Sequence, residues 1–387
     1  MSLIVDEHRQ YLADDLRVSA FREAIREVVR PGDVVLDLGS GTGILGLLAC
    51  RAGAKRVYSV EVGGMIELAR AVCRANGFGD RVTFLKGHST QMELPERVDV
   101  AVCDQIGRFG FEAGVPVFFN DVRARLLKPG GSLVPQRIEM FIAPVECDEI
   151  WGQVEFWNDS RAGFDFRPAR TWAANTGNPV TLLPEQLLGE PAQLCTINLT
   201  EASPGAICGE LSIQADRAGT LHGIGGWFSA QLSPNVTMSN SPLASRRIDR
   251  RNVFFPVDQP VPLEPGDCVR IRMHIIPDAV VVTWNVEVIQ PEANGNTSVP
   301  QILKARFSHS TMRGMLLCKE DLARTQPQFI PELSSWGEAR RSILELCDGR
   351  RPLAEIEKEV HRRHRTLFFS PDEAAAFVAE VITRYTI

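Results

Sequence analysis

The stretch VVLDLGSGTGILGLL, residues 34–48, decides the fold of this chain. It begins with a short apolar run, which is typical of a strand buried on both faces, as in a parallel sheet. Gly39, Gly41 and Gly43 come next, and helical spacing follows to about Ala52. Glycines at such a junction let the backbone approach a ligand, and the helix start presents N–H groups to it. The stretch therefore predicts a strand, a ligand-binding loop and a helix, in that order.

A carboxylate stands at the end of the next apolar run, residues 57–61. Glu61 is placed there to accept hydrogen bonds from two ribose hydroxyls, as acids at the end of a second strand do in nucleotide-binding sheets. The glycines follow the spacing GxGxG, not the GxGxxG of dinucleotide binders, and Asp37 precedes them. On their own they could simply form a tight turn. Together with Glu61 they predict a site for a nucleoside-containing ligand.

Three patterns of apolar residues succeed one another along the chain. Residues 1–140 alternate between apolar runs and helical spacing, which predicts a doubly wound α/β domain that begins with one helix over residues 1–30. Residues 141–310 mostly follow a period of two, which predicts an antiparallel β-barrel or β-sandwich. The segment of about 150–190 departs from that period. Residues 328–387 return to helical spacing and predict a small module of three helices.

The composition excludes several classes of protein. With 387 residues, a formal net charge of −6 and 44% hydrophobic residues, the chain can bury a core without disulfides or metal. It lacks the basic footprint of a nucleic-acid binder and the run of about 18 apolar residues that a membrane helix needs. Nine scattered cysteines without a CxxC pair argue against a disulfide framework or a metal site. With no signal peptide in the sequence, they favour a reducing cytoplasm.

Five consecutive pieces of the chain carry a resemblance to a known family. They are DEHRQYLADDLRVSAFR, VVLDLGSGTGILGLLACRAGAKRVYSVE, ANGFGDRVTFLKGHSTQMELP, VDVAVCDQIG and LLKPGGSLVPQ. Together they resemble the class I S-adenosylmethionine-dependent methyltransferases, and more closely the protein arginine methyltransferases. The similarity runs from about residue 5 to 146, and more loosely to about 288. It implies a Rossmann-like methyltransferase domain with an N-terminal lid helix, S-adenosyl-L-methionine as cofactor and S-adenosyl-L-homocysteine as product.

The resemblance also implies which residues bind the cofactor. A guanidinium fork suits a carboxylate, so Arg17 in the lid helix would pair with the methionyl carboxylate, with His8 near by. Glu61 would bind the ribose. The alternative for Arg17 and His8 is surface charge on an exposed helix. The alternative for Ser89 and Thr90, in the loop that follows VTFL, is an ordinary loop with a cap. The predicted cofactor-binding residues are His8, Arg17, Asp37, Gly39, Gly41, Glu61, Ser89 and Thr90.

The acceptor site is expected after the apolar run 98–103, because ligands bind at the carboxyl ends of parallel strands. The sequence there is CDQIGRFGFEAG, with Asp104 and Glu112 on a glycine-containing loop. Two glutamates hold the substrate guanidinium at this place in arginine methyltransferases; Asp104 is one methylene shorter, and the loop to Glu112 is one residue shorter. Paired carboxylates can orient a cationic nitrogen and accept its proton, so both acids are predicted to be catalytic. The alternative is a pair of solvated loop acids.

A second acceptor element of that family is missing from the sequence. Its Thr-His-Trp loop corresponds to SNSPLASRRIDRRNVFFP, where the His and Trp positions fall near Ile248 and Asp249. Four arginines cluster around these positions. We favour a solvated turn for them, with a patch for an acidic peptide as the alternative. The four are Arg246, Arg247, Arg250 and Arg251.

Two further segments carry resemblances that concern partners. Residues 150–190 resemble the dimerisation arm of the arginine methyltransferases, which implies a homodimer; an internal barrel plug is the alternative. EARRSILELCDGRRPLAEIEKEVHRRH, with the third helix after it, resembles PqqD-like domains, which are winged-helix-like elements that recognise leader peptides in ribosomal-peptide biosynthesis. A helical cap that packs on the barrel or mediates oligomerisation is the alternative for this module.

These observations lead to one functional prediction with three alternatives. The chain is predicted to transfer a methyl group to a nitrogen of a peptide, a ribosomally made precursor docked by residues 328–387. The alternatives are a protein arginine methyltransferase with a diverged loop, a small-molecule N- or O-methyltransferase, and a silent scaffold. The predicted partners are a peptide or protein substrate and a second copy of the chain, with no metal, nucleic acid or membrane.

Overall fold

Five short strands near the N-terminus form a parallel sheet. They are β1 (Val34–Leu38), β2 (Arg56–Glu61), β3 (Val82–Lys86), β4 (Val98–Cys103) and β5 (Leu127–Val134). Their order is β3-β2-β1-β4-β5, and every residue of β1 is buried. Strand order reverses between β1 and β4, so this is the crevice in which open α/β sheets bind ligands. The loop with the three glycines and the loop that begins at Asp104 both start there.

Helices connect these strands as the sequence predicts. Those that follow β1, β2 and β4 are α3 (Ile44–Ala52), α4 (Met65–Ala75) and α5 (Val115–Arg125). Because helices cover the sheet, its central strands can be continuously apolar. The predicted doubly wound α/β architecture is confirmed.

The prediction of a single helix over residues 1–30 is wrong. The structure has α1 (Ile4–Ala13) and α2 (Asp15–Val28), separated at Asp14. Asp14 is non-helical, and its carboxylate accepts a hydrogen bond from the backbone N–H of Arg17 at 3.1 Å. An aspartate in that conformation is an N-cap, which begins a new helix.

Two antiparallel sheets follow in the chain. The first holds β6 (Arg137–Val145), β9 (Asn178–Val180), β10 (Ala192–Asn198), β12 (Gly219–Ser233), β13 (Val236–Ser239) and β14 (Asn252–Leu263). The second holds β11 (Ile207–Gln214), β15 (Cys268–Ile276), β16 (Val281–Gln290) and β17 (Ile302–Ser310). Their orders are β10-β6-β12-β14-β9, with β13 on β12, and β11-β15-β16-β17. Alternate side chains of β15 are buried, so the period of two reflects a half-buried sheet.

The segment that departs from that period forms small elements of its own. They are α6 (Asp148–Glu155), β7 (Ser160–Arg161), β8 (Phe164–Asp165) and α7 (Arg170–Ala174). Several large apolar side chains on this segment are exposed, among them Phe156, Phe164, Phe166 and Trp172.

The C-terminal helices have a core of their own. They are α8 (Lys319–Arg324), α9 (Ser335–Leu346), α10 (Leu353–Arg363) and α11 (Pro371–Tyr385). Ser334 caps α9 and Ser370 caps α11. The core of this bundle consists of Ala339, Ile343, Leu346, Ile356, Val360, Phe368, Ala374, Val378 and Val381.

The computed structural model describes residues 4–202, 205–290, 302–316 and 318–386. The chain divides into two compact units, Met1–Met315 and Leu316–Ile387. Parts of the three predicted domains lie outside the described residues. In the predicted β domain these are residues 203, 204 and 291–301. In the other two they are residues 1–3 and residue 387. Among the described residues, no helix has the length and apolarity needed to cross a bilayer.

Candidate active site

The loop between β1 and α3 adopts a backbone that only glycine takes readily. Gly39, Gly41 and Gly43 have φ of 62°, 52° and 80°, in the left-handed region. A Cβ on Gly39 would overlap the side-chain amide of Gln105, and one on Gly41 would overlap the imidazole of His8. The predicted residue His8 therefore lies against this loop, and Gln105, which the sequence did not single out, covers it from the side of β4.

Glu61 holds this loop through backbone N–H groups. Its Oε2 accepts from the N–H of Gly41 at 3.0 Å, and its Oε1 accepts from the N–H of Gly63 at 2.7 Å. A carboxylate offers about four lone-pair sites. Each oxygen thus keeps an acceptor position, as the predicted binding of ribose hydroxyls requires.

Asp37 lies beneath the loop and not on its surface. Its side chain is fully buried, and Oδ2 accepts from the backbone N–H of Gly46 at 2.9 Å. Among the described residues, Oδ1 has no hydrogen-bond partner. Burial raises the pKa of Asp37 to about 7, the Gly46 N–H opposes this, and the charge of Glu61 adds to it. Asp37 fastens the start of α3 to β1.

Asp37→Asn is expected to alter how stability depends on pH. A proton on buried Asp37 stabilises the fold fully below the unfolded pKa of about 3.9, and this contribution is lost as the pH rises through about 7. The free energy of unfolding of the wild type should therefore fall relative to that of Asp37→Asn between about pH 4 and 7. Urea titrations at several pH values measure this; exposed Asp80→Asn is the control, and parallel curves for wild type and Asp37→Asn would refute it.

Ser89 and Thr90 begin a short 3-10 turn after β3. Ser89 is buried and Thr90 is exposed. Arg125 of α5 donates to the backbone carbonyl of Ser89 at 3.0 Å and is paired with Asp121. The turn is thus fixed from α5, and the backbone N–H of Gly87 just before it donates to the backbone carbonyl of Glu61 at 3.0 Å.

Asp104 lies between two guanidinium groups of the chain itself. Nη2 of Arg17 donates to Oδ2 of Asp104, and Nη2 of Arg250 lies 3.3 Å and 3.4 Å from the two carboxylate oxygens. Nη1 of Arg17 donates to the carbonyl of Tyr11 at 2.9 Å. Burial, and then the charge of Arg250, lower the pKa of Arg17 to about 10. Asp104 therefore compensates two buried positive charges.

The other predicted acid, Glu112, is turned into its own loop. Its carboxylate accepts backbone N–H groups of Arg108, of Phe109 at 3.1 Å and of Phe111 at 3.4 Å. Gly107 is left-handed, and a Cβ there would overlap this carboxyl group. In the structure Asp104 thus binds guanidinium groups, whereas Glu112 accepts hydrogen bonds from the backbone. Burial lowers the pKa of Arg250, and the nearby Tyr11 and Glu112 oppose this shift.

The loop between β13 and β14 reaches this site from the antiparallel region. Oδ2 of Asp14 accepts from the backbone N–H of Asp249 at 2.8 Å. Nδ2 of Asn240 donates to the carbonyls of Arg108 at 2.8 Å and Arg251 at 3.1 Å. The junction of α1 and α2, the Asp104 loop and this loop are therefore joined by hydrogen bonds.

The interpretation of the arginine cluster as a solvated turn is wrong for two of its members. Arg250 points inward to Asp104, and Nη1 of Arg247 donates to the carbonyl of Leu182 at 2.8 Å. Arg246 and Arg251 are exposed. The hydrogen bonds that anchor the loop decide which arginine turns inward. The sequence around these arginines does not distinguish one from another. The Asp-Asp-Leu-Arg stretch did carry a signal for Asp14, since an aspartate before a helix is a common N-cap.

Comparison with known proteins decides the family. A family model described as a methyltransferase domain matches residues 35–131, and one for the arginine methyltransferase oligomerization subdomain matches residues 136–285. Over 275 residues the chain is 30% identical to protein arginine N-methyltransferase 6 of Xenopus laevis, which covers 67% of this chain and 80% of the relative. The chain belongs to the protein arginine methyltransferase family.

Two further proteins are similar to this chain, one in sequence and one in fold. It is 30% identical to the arginine N(omega)-methyltransferase of Streptomyces achromogenes over 277 residues, 69% of this chain and 75% of the relative. The Trypanosoma brucei PRMT1 enzyme–prozyme complex with AdoHcy shares the fold, with a TM-score of 0.68 and 21% identity over 78% of this chain and 97% of that one. The protein is a methyltransferase that uses S-adenosyl-L-methionine.

The residues at the crevice fit this cofactor. The left-handed glycines expose backbone where a side chain would intrude, and Glu61 keeps acceptor positions at the end of β2. The Nε of Arg17 is buried and has no hydrogen-bond partner in the described part of the chain. It is a donor that a carboxylate could satisfy.

Proposed function

We propose that this methyltransferase acts on a guanidinium nitrogen of arginine in a peptide or protein. One observation supports the acceptor most directly. Asp104, a carboxylate at the carboxyl end of β4 whose side chain is only 9% exposed, already binds guanidinium N–H groups. A carboxylate that already pairs with guanidinium groups has the charge and geometry to orient a substrate guanidinium in place of one of them. The names of the relatives from Xenopus and Streptomyces point to the same acceptor.

In this proposal the predicted cofactor residues take distinct roles. The cofactor supplies an electrophilic sulfonium methyl group. Gly39 and Gly41 admit its methionyl portion, Glu61 binds the ribose, and Arg17 binds the carboxylate. His8 closes over the glycine loop, Ser89 and Thr90 flank the adenine, and Asp37 keeps the loop in place from below.

Asp104 and Glu112 contribute to the acceptor site in different ways. Asp104 orients the guanidinium so that a nitrogen lone pair faces the methyl group, and it accepts the released proton. Glu112 accepts the backbone N–H groups of Arg108, Phe109 and Phe111, which holds the wall of the site. Glu112 is thus a positioning residue, whereas Asp104 touches the acceptor.

A matched pair of peptides tests the acceptor. A Gly-Arg-rich peptide and its Arg→Lys counterpart are incubated with the protein and methyl-labelled cofactor. Label is expected in the arginine peptide alone. Label in small amines only would support the small-molecule alternative, and equal rates with free arginine and the peptide would remove the need for a peptide substrate.

We further propose that the C-terminal unit docks a precursor peptide. Phe369 and Ile330 of this unit are 90% and 82% exposed, and the N-terminal part of α10 presents exposed Leu353. The described residues of the unit include no strand, so a peptide would bind in a groove between helices and not at a sheet edge.

Phe369→Ser in the full chain tests this docking. It should raise the KM for a precursor peptide encoded beside the gene and leave the KM for a short Gly-Arg peptide unchanged, because only the precursor reaches the helical unit. Equal KM values of Phe369→Ser and wild type for the precursor would contradict this role of Phe369.

We also propose that the protein is a homodimer through the arm at residues 150–190. Exposed Phe164 and Trp172 supply large apolar side chains, which is what the centre of an interface requires. The double variant Phe164→Ser/Trp172→Ser should elute as a monomer in light-scattering chromatography where the wild type elutes as a dimer. Leu303→Ser, at an exposed leucine of β17, is the control; a dimeric double variant would contradict the role of the arm.

For the compartment we propose the cytoplasm. The nine cysteines are all free, and Cys50, Cys73, Cys103 and Cys147 are buried as thiols. Free cysteines throughout a chain suit a reducing environment.

A further inference from the structure

Arg250 occupies the carboxylate that the proposed acceptor has to use. Its Nη2 lies 3.3 Å and 3.4 Å from the two oxygens of Asp104, and its Nη1 donates to the carbonyl of Gly107 at 3.2 Å. The Arg250 side chain is only 12% exposed and that of Asp104 only 9%. A guanidinium of the chain therefore already sits where a substrate guanidinium would bind.

We infer that Arg250 determines how tightly the acceptor site binds a guanidinium, because its own guanidinium competes for Asp104. This inference rests on the proposed function and names the residue that sets the specificity of that site. An incoming guanidinium meets one carboxylate that faces two positive charges, Arg17 and Arg250. Like charges at close range repel strongly in a buried site, so a third guanidinium binds well only when one of the two leaves.

The contact geometry indicates that Arg250 is the one that leaves. A strong arginine–carboxylate pair uses two parallel N–H groups, one on each oxygen. Arg250 instead places a single nitrogen between both oxygens at the long end of the hydrogen-bond range. Arg17 also donates to Asp104, and it is held in addition by the carbonyl and the ring of Tyr11.

A substrate guanidinium can replace that of Arg250 on Asp104 without movement of the backbone around Arg250. The residue before it donates its N–H to Asp14, and the carbonyl of Arg251 accepts from Asn240. The backbone is therefore fastened on both sides, while the long side chain can swing by rotating its own bonds. A substrate guanidinium can thus take over Asp104 and leave the loop in place.

Substitutions at Arg250 test the competition. Arg250→Gln removes the competing charge and keeps a hydrogen-bonding side chain. The KM for a Gly-Arg peptide is expected to fall about tenfold, with kcat close to that of the wild type. Arg250→Lys keeps the charge and should stay nearer the wild type, and Arg246→Gln, at an exposed arginine of the same loop, should leave both constants unchanged.

A binding measurement separates this inference from the proposed function. Calorimetry with N-acetyl-arginine amide and S-adenosyl-L-homocysteine should show tighter binding to Arg250→Gln than to the wild type. Equal or weaker binding, or a change confined to kcat, would overturn the inference. Tighter binding without methylation of any guanidine would support the competition and refute the proposed function.

Discussion

Glu61→Ala is expected to weaken the binding of S-adenosyl-L-methionine about a hundredfold or more. In the proposed site Glu61 binds the ribose through its two oxygens, and a hydrogen bond to a charged group contributes about 1.5–3 kcal/mol, so losing two costs at least about 3 kcal/mol. The loss is increased because the N–H groups of Gly41 and Gly63 lose their acceptor and the glycine loop loosens. Isothermal titration calorimetry with the cofactor measures this directly.

Two further variants are compared with Glu61→Ala in that measurement. Glu67→Ala removes a carboxylate that is 73% exposed on α4 and should bind the cofactor like the wild type. Glu61→Gln keeps one acceptor oxygen, so its affinity for the cofactor should lie between those of Glu61→Ala and Glu67→Ala. If Glu61→Ala bound the cofactor as tightly as Glu67→Ala does, Glu61 would have no part in the cofactor site.

Asp104→Asn is expected to lower the rate of methyl transfer about 10²- to 10³-fold, the usual effect of removing one electrostatic group at a reacting centre. The cofactor should still bind, because the asparagine oxygen can accept from Arg17. Initial rates with a Gly-Arg peptide at saturating cofactor provide the test. Wild-type rates would exclude Asp104 from the acceptor site.

The same variant should also lose stability, on the order of 3 kcal/mol, because Arg17 and Arg250 are left buried without an anion. Glu96→Gln breaks an exposed pair with Arg56 and should cost less than about 1 kcal/mol. Asp104→Asn/Arg250→Gln removes one of the stranded charges and should recover part of the loss in urea unfolding. A double variant less stable than Asp104→Asn would contradict this charge balance.

The sequence predicts those parts of the fold that local patterns determine. The short, mostly apolar run of β1 and the glycines after it indicate the ligand crevice, and the alternation of β15 identifies a half-buried antiparallel strand. The break at Asp14 was missed because helical spacing continues across it, although a capping residue was present.

The parts that could not be predicted depend on contacts between distant segments. Arg250 turns toward Asp104 because Asp14 and Asn240 hold its loop. Asp14 is distant in the sequence, and Asn240 precedes Arg246 as well as Arg250, so the local sequence does not show which arginine turns inward. Glu112 bonds to its own loop because the left-handed Gly107 leaves room for its carboxyl group. Composition and spacing identify the charged groups of a site but not the partners that tertiary structure assigns to them.

The position of the transferred methyl group shows whether this protein methylates arginine. The protein is incubated with a Gly-Arg peptide and cofactor that carries a deuterated methyl group, and the product is fragmented by tandem mass spectrometry. We expect the labelled methyl on the guanidinium of arginine, with loss of the label in Asp104→Asn. A labelled methyl on a lysine, a terminal amine or an oxygen, with arginine unmodified, would contradict it.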